Sequence, residues 1–325
     1  MSALCGEKNI KNIKAEFKAN GIFYTPPELA ETIKSYVDFE PKRVYDPTAG
    51  QGNLLAVFPD EVAKYGQELY SEELEKARQR LKNFHGYAGD TLADDGFPNE
   101  QFDLIVANPP FSVKWSPNPE DVRWKGAPTI PTAGKADYAF LLHILYHLAY
   151  DGKAICLEFP GILYRGQREG KIRQWMVEKN YIERVVSVPG NTFVDTSIAT
   201  CILVLNKHKN TTDIIFEDKG LGAERVVSFD DVKKESFNLS VSTYVFEKQE
   251  RVYVDPQKLD EDARTAFLKK LKSEILFERA VCEIEGWDYE LFLNSIVELV
   301  NGFMTQKENG LYLGSGFRYE KEEEE

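Results

Sequence analysis

The order of hydrophobic and polar positions predicts a mainly parallel α/β sheet over the first two thirds of the chain. Short apolar runs typical of buried strands alternate with segments whose apolar residues recur at helical spacing. The predicted strands are residues 43–46, 66–70, 86–88, 102–108, 153–159, 182–188 and 200–205. The predicted helices are residues 27–37, 72–83, 137–149 and 169–179.

The last predicted strand, residues 200–205, should be antiparallel to its neighbours. Residues 189–199, which precede it, carry no helical pattern, and a short connection without a helix implies antiparallel pairing. We therefore expect a seven-stranded, mostly parallel sheet with an antiparallel last strand. Residues 115–135 hold four prolines and no periodicity, as in a functional or disordered loop.

Beyond residue 209 the pattern changes. Residues 212–217 could add one more strand, and helical spacing returns at about 260–283 and 288–303. The apolar residues of these two helices either pack within the protein or form a dock for another subunit. The expected organisation is an N-terminal arm (1–20), a main domain (21–209), a connecting segment (210–250), a helical C-terminal region (251–315) and an acidic tail (316–325).

Composition narrows the class of protein. The chain has 325 residues and a net charge of −13, so it lacks the basic footprint of a protein that grips nucleic acid alone. Its four cysteines form no Cys-x-x-Cys pair, which favours a reducing cytoplasm and disfavours both a disulfide framework and a zinc site, and we expect no bound metal. The N-terminus is polar and no run of 18 apolar residues occurs, so we expect a cytoplasmic protein without a membrane span.

Acidic residues follow the first three predicted strands. Asp46 and Glu68 end the first two, and Asp90 follows the third. In open α/β sheets the ligand lies outside the carboxyl ends of the strands, where acids can bind ribose hydroxyls, an adenine amine or a cation. Each acid could instead only cap the helix that follows it. Gly50 and Gly52, after the first strand, let the backbone approach a ligand closely.

The fourth predicted strand ends in the most informative motif, Asn108, Pro109, Pro110 and Phe111. A polar side chain, two stiff prolines and an aromatic ring can form a fixed clamp for a planar ring that bears an amino group. The alternative is a simple strand-ending turn, because prolines stop strands.

Together these motifs resemble the S-adenosylmethionine-dependent amino-methyltransferases of DNA and, more narrowly, the modification subunit of type I restriction–modification systems. The resemblance runs from Gly21 to about Val245 and covers residues 21–29, 46–53, 66–68, 89–92, 107–111, 159–166 and 238–245. It implies a Rossmann-like methyltransferase domain with a C-terminal helical extension. The glycine turn departs from the family's usual Cys-Gly-Ser-Gly-Gly but keeps both glycines.

The resemblance implies S-adenosylmethionine as the cofactor. The residues that would bind it are Tyr24, Thr25, Asp46, Pro47, Gly50, Gly52, Glu68, Asp90 and Asn108. Glu68 would hold the ribose hydroxyls and Asp90 the adenine amine, while Asp46 and the glycine turn would lie along the methionine moiety.

The hypothesis for catalysis concerns the N6 amine of adenine, a poor nucleophile because its lone pair is conjugated with the ring. The base must first be flipped out of double-stranded DNA. Phe111 would then stack on it, while the Asn108 side-chain oxygen and the Pro109 carbonyl each accept one amine proton and so direct the lone pair at the methyl group. The motif order favours adenine N6 over cytosine N4.

Basic residues near the clamp are candidate DNA contacts. Lys114 and Arg123 lie in the long loop, and Arg165 and Arg168 form a second cluster; both groups could instead be incidental surface charge. No sequence-reading module is recognisable after residue 209. The resemblance therefore implies a separate DNA-specificity subunit, and a restriction subunit, as partners.

Two other functions remain open at this point. A methyltransferase acting on RNA, or on a protein glutamine, would use the same kind of clamp. The amide nitrogen of glutamine, like the amine of a base, is a poor nucleophile because its lone pair is conjugated. A catalytically inactive protein could also retain the fold and act as a scaffold.

Overall fold

The computed structural model describes residues 25–190, 199–246 and 255–308. The expected N-terminal arm, Tyr24 and the acidic tail lie outside these residues. Contacts divide the chain into two compact units, Met1–Lys248 and Gln249–Glu325, and each is described by itself.

The first unit is built on a nine-stranded mixed sheet. Its strands are β1 (Arg43–Asp46), β2 (Ala63–Glu68), β3 (Phe84–Ala88), β4 (Phe102–Ala107), β5 (Leu148–Glu158), β6 (Ile182–Val188), β7 (Thr200–Asn206), β8 (Ile214–Asp218) and β9 (Ala223–Val227). They lie in the order β3-β2-β1-β4-β5-β7-β6-β8-β9. The first five strands are parallel neighbours, which confirms the predicted α/β class.

The reversed strand lies inside the sheet. β7 pairs antiparallel with both β5 and β6, as the missing helix before it predicted. The predicted count of seven strands was too low, because β8 and β9 extend the sheet beyond β6 and beyond residue 209. β9 escaped prediction because it is a polar edge strand whose first four residues are exposed.

Helices cover both faces of the sheet. They are α1 (Pro27–Lys34), α2 (Ser71–Arg80), α3 (Asp137–His147), α4 (Gln167–Glu178), α5 (Phe229–Lys234) and α6 (Val241–Tyr244). Alternate strand residues enter two hydrophobic clusters, Tyr45 and Ile105 in one, Val44 and Leu104 in the other. Burial on both faces explains why the central strands are almost continuously apolar.

In its described residues, 255–308, the second unit contains two helices, α7 (Pro256–Glu285) and α8 (Tyr289–Glu308), which confirms the predicted C-terminal helical extension. Gly286 ends α7 in the left-handed conformation, at a φ of 70°, which glycine adopts without strain. Several large apolar side chains are exposed, namely Phe267, Leu268, Phe277, Ile284, Trp287 and Leu291. Among the helices that the structure describes, none has both the length and the apolar character needed to cross a membrane.

The proline-rich loop at residues 115–135 is closed at its base by hydrogen bonds. The Trp115 backbone N–H donates to the Ala133 carbonyl at 3.0 Å, and its indole N–H donates to the Thr132 carbonyl at 2.9 Å. The Trp124 ring is buried and meets the Trp115 ring edge-on at 5.4 Å. The aromatic residues of this loop therefore stabilise the loop itself.

Arg123 lies in the interior, so the structure does not support its expected role as a nucleic-acid contact. Its guanidinium pairs with Asp121 at 2.6 Å and donates to the carbonyls of Thr91 at 2.6 Å and Leu92 at 2.7 Å. It also hydrogen-bonds His143 Nδ1 at 2.9 Å. Arg123 thus fastens the loop to the segment that follows β3.

We predict that Arg123→Met lowers the free energy of unfolding by about 3 kcal/mol, because it leaves the Asp121 carboxylate and two buried carbonyls without their donor. Chemical denaturation measures this loss. Lys125→Met, at an exposed position two residues away, is the control and should change stability by less than about 0.5 kcal/mol. Equal stability of the Arg123 variant and the wild type would contradict the interior role.

Candidate active site

The carboxyl ends of β1, β2, β3 and β4 meet at one edge of the sheet because these strands are parallel neighbours. Asp46, Glu68, Asp90 and Asn108 all lie at this edge. Each acid accepts a backbone N–H from two residues further on: Asp46 from Thr48 at 2.9 Å, Glu68 from Tyr70 at 3.0 Å and Asp90 from Leu92 at 3.0 Å. These bonds shape the local turns, and each carboxylate retains capacity to accept further hydrogen bonds.

The turn after β1 depends on its glycines. Gly50 and Gly52 have φ values of 52° and 76°, in the left-handed region that other residues rarely adopt. The Gly50 N–H donates to Glu68 Oε2 at 2.8 Å, so the turn is fixed to the end of β2. A side chain at position 52 would also place its Cβ 2.5 Å from Leu81 Cδ1.

Asp46 is almost fully buried, and burial raises the pKa of its carboxyl to about 7. The backbone N–H of Thr48 opposes this rise and the nearby Glu68 carboxylate adds to it. Burial also raises the pKa of Glu68. A cationic group of a ligand at this edge would favour the ionised form of Asp46, which makes the site suited to a positively charged ligand.

Gln67 connects the second and third turns, a role that sequence analysis did not assign. The side chain is fully buried. Its Nε2 donates to the Asp94 carbonyl at 2.6 Å and its Oε1 accepts the Gly96 N–H at 3.0 Å. The Thr91 hydroxyl, in the same loop, donates to the Pro47 carbonyl at 2.5 Å. The loop that carries Asp90 is therefore fixed to the end of β2, through Gln67, and to the turn after β1, through Pro47.

The structure brings the predicted clamp and one predicted cofactor residue together. Asn108 Nδ2 donates to Thr25 Oγ1 at 3.1 Å, which orients the Asn108 amide. Asn53 Nδ2 in turn donates to the Thr25 carbonyl at 3.0 Å. Pro109 is buried, and the Phe111 ring is half-buried with its centroid 6.5 Å from that of Phe159, tilted by 46°.

The basic residues named by sequence analysis separate into two kinds. Lys114 and Arg168 are exposed, as a contact with a polyanion requires. Arg165 instead pairs with the buried Asp137 at 3.2 Å and lies 3.6 Å from Glu169. Its guanidinium is held within the protein beside two acids, an unfavourable place to receive a phosphate.

Asp95, His143 and His147 form a compact group of potential metal ligands within the described residues. Their polar atoms are already engaged: His147 bonds the Glu100 carbonyl at 2.9 Å and Asp95 at 3.0 Å, and His143 Nε2 bonds the Tyr45 hydroxyl at 3.0 Å. Burial would raise the pKa of Asp95, but the hydrogen bond from His147 and the charges of His147 and His143 together outweigh it, and the pKa is lowered to about 2. We interpret the group as an internal hydrogen-bond network.

The chain that forms this site matches a known protein family. Residues 10–225 match the family described as N-6 DNA Methylase, which is more than half of the chain. The chain therefore belongs to the N-6 DNA methylase family. Membership implies use of S-adenosylmethionine as the methyl donor, and the acids and glycine turn at the strand edge suit a cationic ligand of this kind.

Individual relatives agree with the family. The chain is 36% identical over 234 residues to the type I restriction enzyme MpnII methylase subunit of Mycoplasma pneumoniae, covering 61% of this chain and 42% of that protein. It is 29% identical over 226 residues to the HindI methylase subunit of Haemophilus influenzae, covering 63% and 51%. The chain thus spans about half the length of these relatives.

A solved structure shows the same architecture. The type I restriction-modification system methyltransferase subunit of Streptococcus thermophilus superimposes with a TM-score of 0.63 at 30% identity, covering 69% of this chain and 59% of that one. The likeness supports the family assignment at the level of three-dimensional structure.

We predict that affinity for S-adenosylmethionine falls by up to about tenfold per pH unit as pH drops below 7. Below its pKa of about 7, Asp46 must release a proton before it can attract the cationic ligand. Calorimetry between pH 5.5 and 7.5 measures the slope, and Asp46→Asn should flatten it. An equally steep slope in the variant would contradict this role.

The same carboxyl should lower stability at high pH when no ligand is bound. The folded pKa lies above the ordinary value of 3.8, so the folded state loses stability as pH rises from about 4 to about 7. Asp46→Asn keeps an acceptor for the Thr48 N–H but cannot ionise. It should therefore melt at a higher temperature than the wild type at pH 8 and at nearly the same temperature at pH 4.

Proposed function

We propose that this protein transfers a methyl group from S-adenosylmethionine to the N6 of adenine in DNA, as the modification subunit of a type I-like restriction–modification system. The observation that carries the proposal is the hydrogen bond between Asn108 and Thr25. It joins the clamp motif to a predicted cofactor residue, at the edge where three acid-bearing turns lie side by side.

On the cofactor side, S-adenosylmethionine supplies an electrophilic methyl group on a positively charged sulfur. Glu68 would accept hydrogen bonds from the ribose hydroxyls while it holds the Gly50 turn in place. Asp90 would accept from the adenine amine. Asp46 would attract the positive charge of the methionine end, and Thr25 would bind its carboxylate. Tyr24, Pro47 and Gly52 complete the proposed cofactor-binding set.

On the base side, Phe111 provides a stacking surface for an adenine flipped out of the duplex. The Asn108 amide donates an N–H to Thr25 Oγ1, so its oxygen is the atom left to accept an amine proton. The Pro109 carbonyl would accept the second proton. Accepting both protons would make the amine nitrogen more tetrahedral and would direct its lone pair at the methyl carbon.

The net charge of the chain and its exposed basic and apolar residues indicate which partners it needs. A net charge of −13 disfavours independent recognition of DNA, although the exposed Lys114 and Arg168 could contact phosphates. The exposed apolar residues of α7 include Phe267 and Leu268, and exposed apolar patches rimmed by polar residues mark protein–protein interaction sites. We propose that these helices bind a DNA-specificity subunit, and that a restriction subunit joins the assembly.

The alternatives are less well supported. The matching family is one of DNA methylases, and the named relatives are methylase subunits of restriction enzymes. This favours DNA over RNA or a protein glutamine as the substrate. The intact clamp and its bond to Thr25 favour an active enzyme over a scaffold.

We predict that Asn108→Ala reduces methylation by at least about 100-fold, because it removes the oxygen that accepts an amine proton. Affinity for S-adenosylmethionine should change little, since most of the proposed cofactor contacts lie elsewhere. The assay uses the chain co-purified with its specificity subunit, radiolabelled cofactor and mass spectrometry of the nucleosides. Asn99→Ala, at an exposed position, is the matched control.

Two results would count against the proposal. One is a wild-type rate in the Asn108 variant, which would refute the clamp. The other is a wild-type product other than N6-methyladenine, such as a methylated cytosine, tRNA or glutamine.

A further inference from the structure

The residue that follows the clamp is held in an unusual conformation. Ser112 has a φ of 54°, in the left-handed region that is unfavourable for a residue with a side chain. Its backbone N–H donates to Asp137 Oδ1 at 2.9 Å, and its hydroxyl accepts from Arg165 Nη2 at 3.0 Å. Arg165 Nη1 lies 3.2 Å from the other Asp137 oxygen. Two side chains from distant parts of the chain therefore determine the backbone immediately after Phe111.

This hydrogen-bonded group is shielded from water. Asp137, the first residue of α3, is fully buried, and the Arg165 side chain is only 16% exposed. The low exposure strengthens charge-assisted hydrogen bonds and makes the loss of either partner costly. The hydrogen bonds that hold Ser112 should therefore be stronger than those of an exposed surface contact.

The charges around Arg165 argue against a phosphate contact. Glu169 lies 3.6 Å from the guanidinium. Glu158 is fully buried nearby, and within the described residues neither of its carboxyl oxygens has a hydrogen-bond partner. Burial raises the pKa of Glu158 well above its ordinary value, and the charge of Asp137 raises it further. A DNA phosphate at this position would approach the carboxyl groups of Asp137 and Glu169, with which the arginine is already paired.

Two neighbouring residues indicate that the position of the guanidinium is built into the fold. Gly161 allows the close approach, because a Cβ there would lie 2.6 Å from Arg165 Nε. The guanidinium also lies 5.6 Å from the centre of the Phe159 ring, and that ring is next to Phe111. Arg165 therefore contacts both the Ser112 side chain that follows the clamp and the aromatic residue beside Phe111.

We propose that Arg165 and Asp137 are a positioning pair for the clamp: they hold Ser112 in the left-handed conformation and thereby fix the orientation of Asn108 and Phe111. Without them, Ser112 would relax to a negative φ and the clamp would rotate at its carboxyl end. The inference rests on the proposed function and assigns Arg165 a role different from DNA binding.

The first test separates positioning from phosphate contact, using the complex with its specificity subunit. Arg165→Ala and Asp137→Asn should lower the single-turnover methylation rate on saturating DNA by about 100-fold, the scale of a misplacement of about 1 Å. The DNA dissociation constant should stay within about twofold and its salt dependence should not change. Arg165→Lys, which keeps the charge but not the planar fork, should restore the rate only in part.

Comparison variants make the result decisive. Arg168→Ala, at an exposed position on the next turn, should instead weaken DNA binding and lower the salt slope by about one. Lys179→Ala, at an exposed position outside the site, should match the wild type. The proposal is overturned if Arg165→Ala weakens DNA binding and lowers the salt slope while the rate on saturating DNA is unchanged.

The second test needs no methylation, so it can fail independently of the proposed function. Hydrogen exchange should show faster exchange of the peptide spanning residues 108–113 in Arg165→Ala and Asp137→Asn, with the melting temperature measured in parallel. Gly161→Ala offers a second way to disturb the pair. The added methyl group should displace the guanidinium although the arginine itself is retained. Unchanged protection in folded variants would overturn the proposal, whereas an inactive wild type with the expected exchange would refute only the proposed function.

Discussion

The hydrogen bonds at the end of β2 hold the candidate site together. The Glu68 carboxylate accepts N–H groups from the glycine turn after β1 and from its own turn, and the preceding Gln67 fixes the loop after β3. Parallel strands bring these three turns to one edge, but their relative positions depend on two adjacent side chains, the buried Gln67 and the partly buried Glu68. This explains why all of residues 66–68 (Gly-Gln-Glu) can take part in the family resemblance although only Glu68 is proposed to bind the cofactor.

Most of the site's location could be predicted from the sequence. Buried parallel strands are nearly continuous apolar runs, so the polar residues that end them, such as Asp46 and Asn108, are visible in the sequence and must meet at one edge. The antiparallel β7 was also predictable, because no helix precedes it. The positive φ of Gly50 and Gly52 agrees with the close backbone approach expected from their spacing.

The roles of the arginines could not be predicted in the same way. A basic residue near a proposed DNA site is ambiguous until its burial is known, and Arg123 and Arg165 both have acidic partners that hold them inside the protein. Asp121 and Arg123 are only two residues apart, so this pairing could have been inferred from the sequence. The pairing of Asp137 with Arg165 could not, because the two residues are far apart in the chain and meet only in the fold. The polar edge strand β9 was missed because it lacks the apolar pattern of a buried strand.

We propose that the clamp and the acid-bearing turns form one bipartite site, in which Thr25 links the two halves. A crystal structure of the chain with S-adenosylhomocysteine tests this claim most directly. The account predicts the ribose at Glu68, the adenine amine at Asp90 and the amino-acid end at Asp46 and Thr25, with the Asn108 oxygen facing the sulfur side. A ligand bound elsewhere, or at this edge without contact to Glu68 and Asp46, would contradict it.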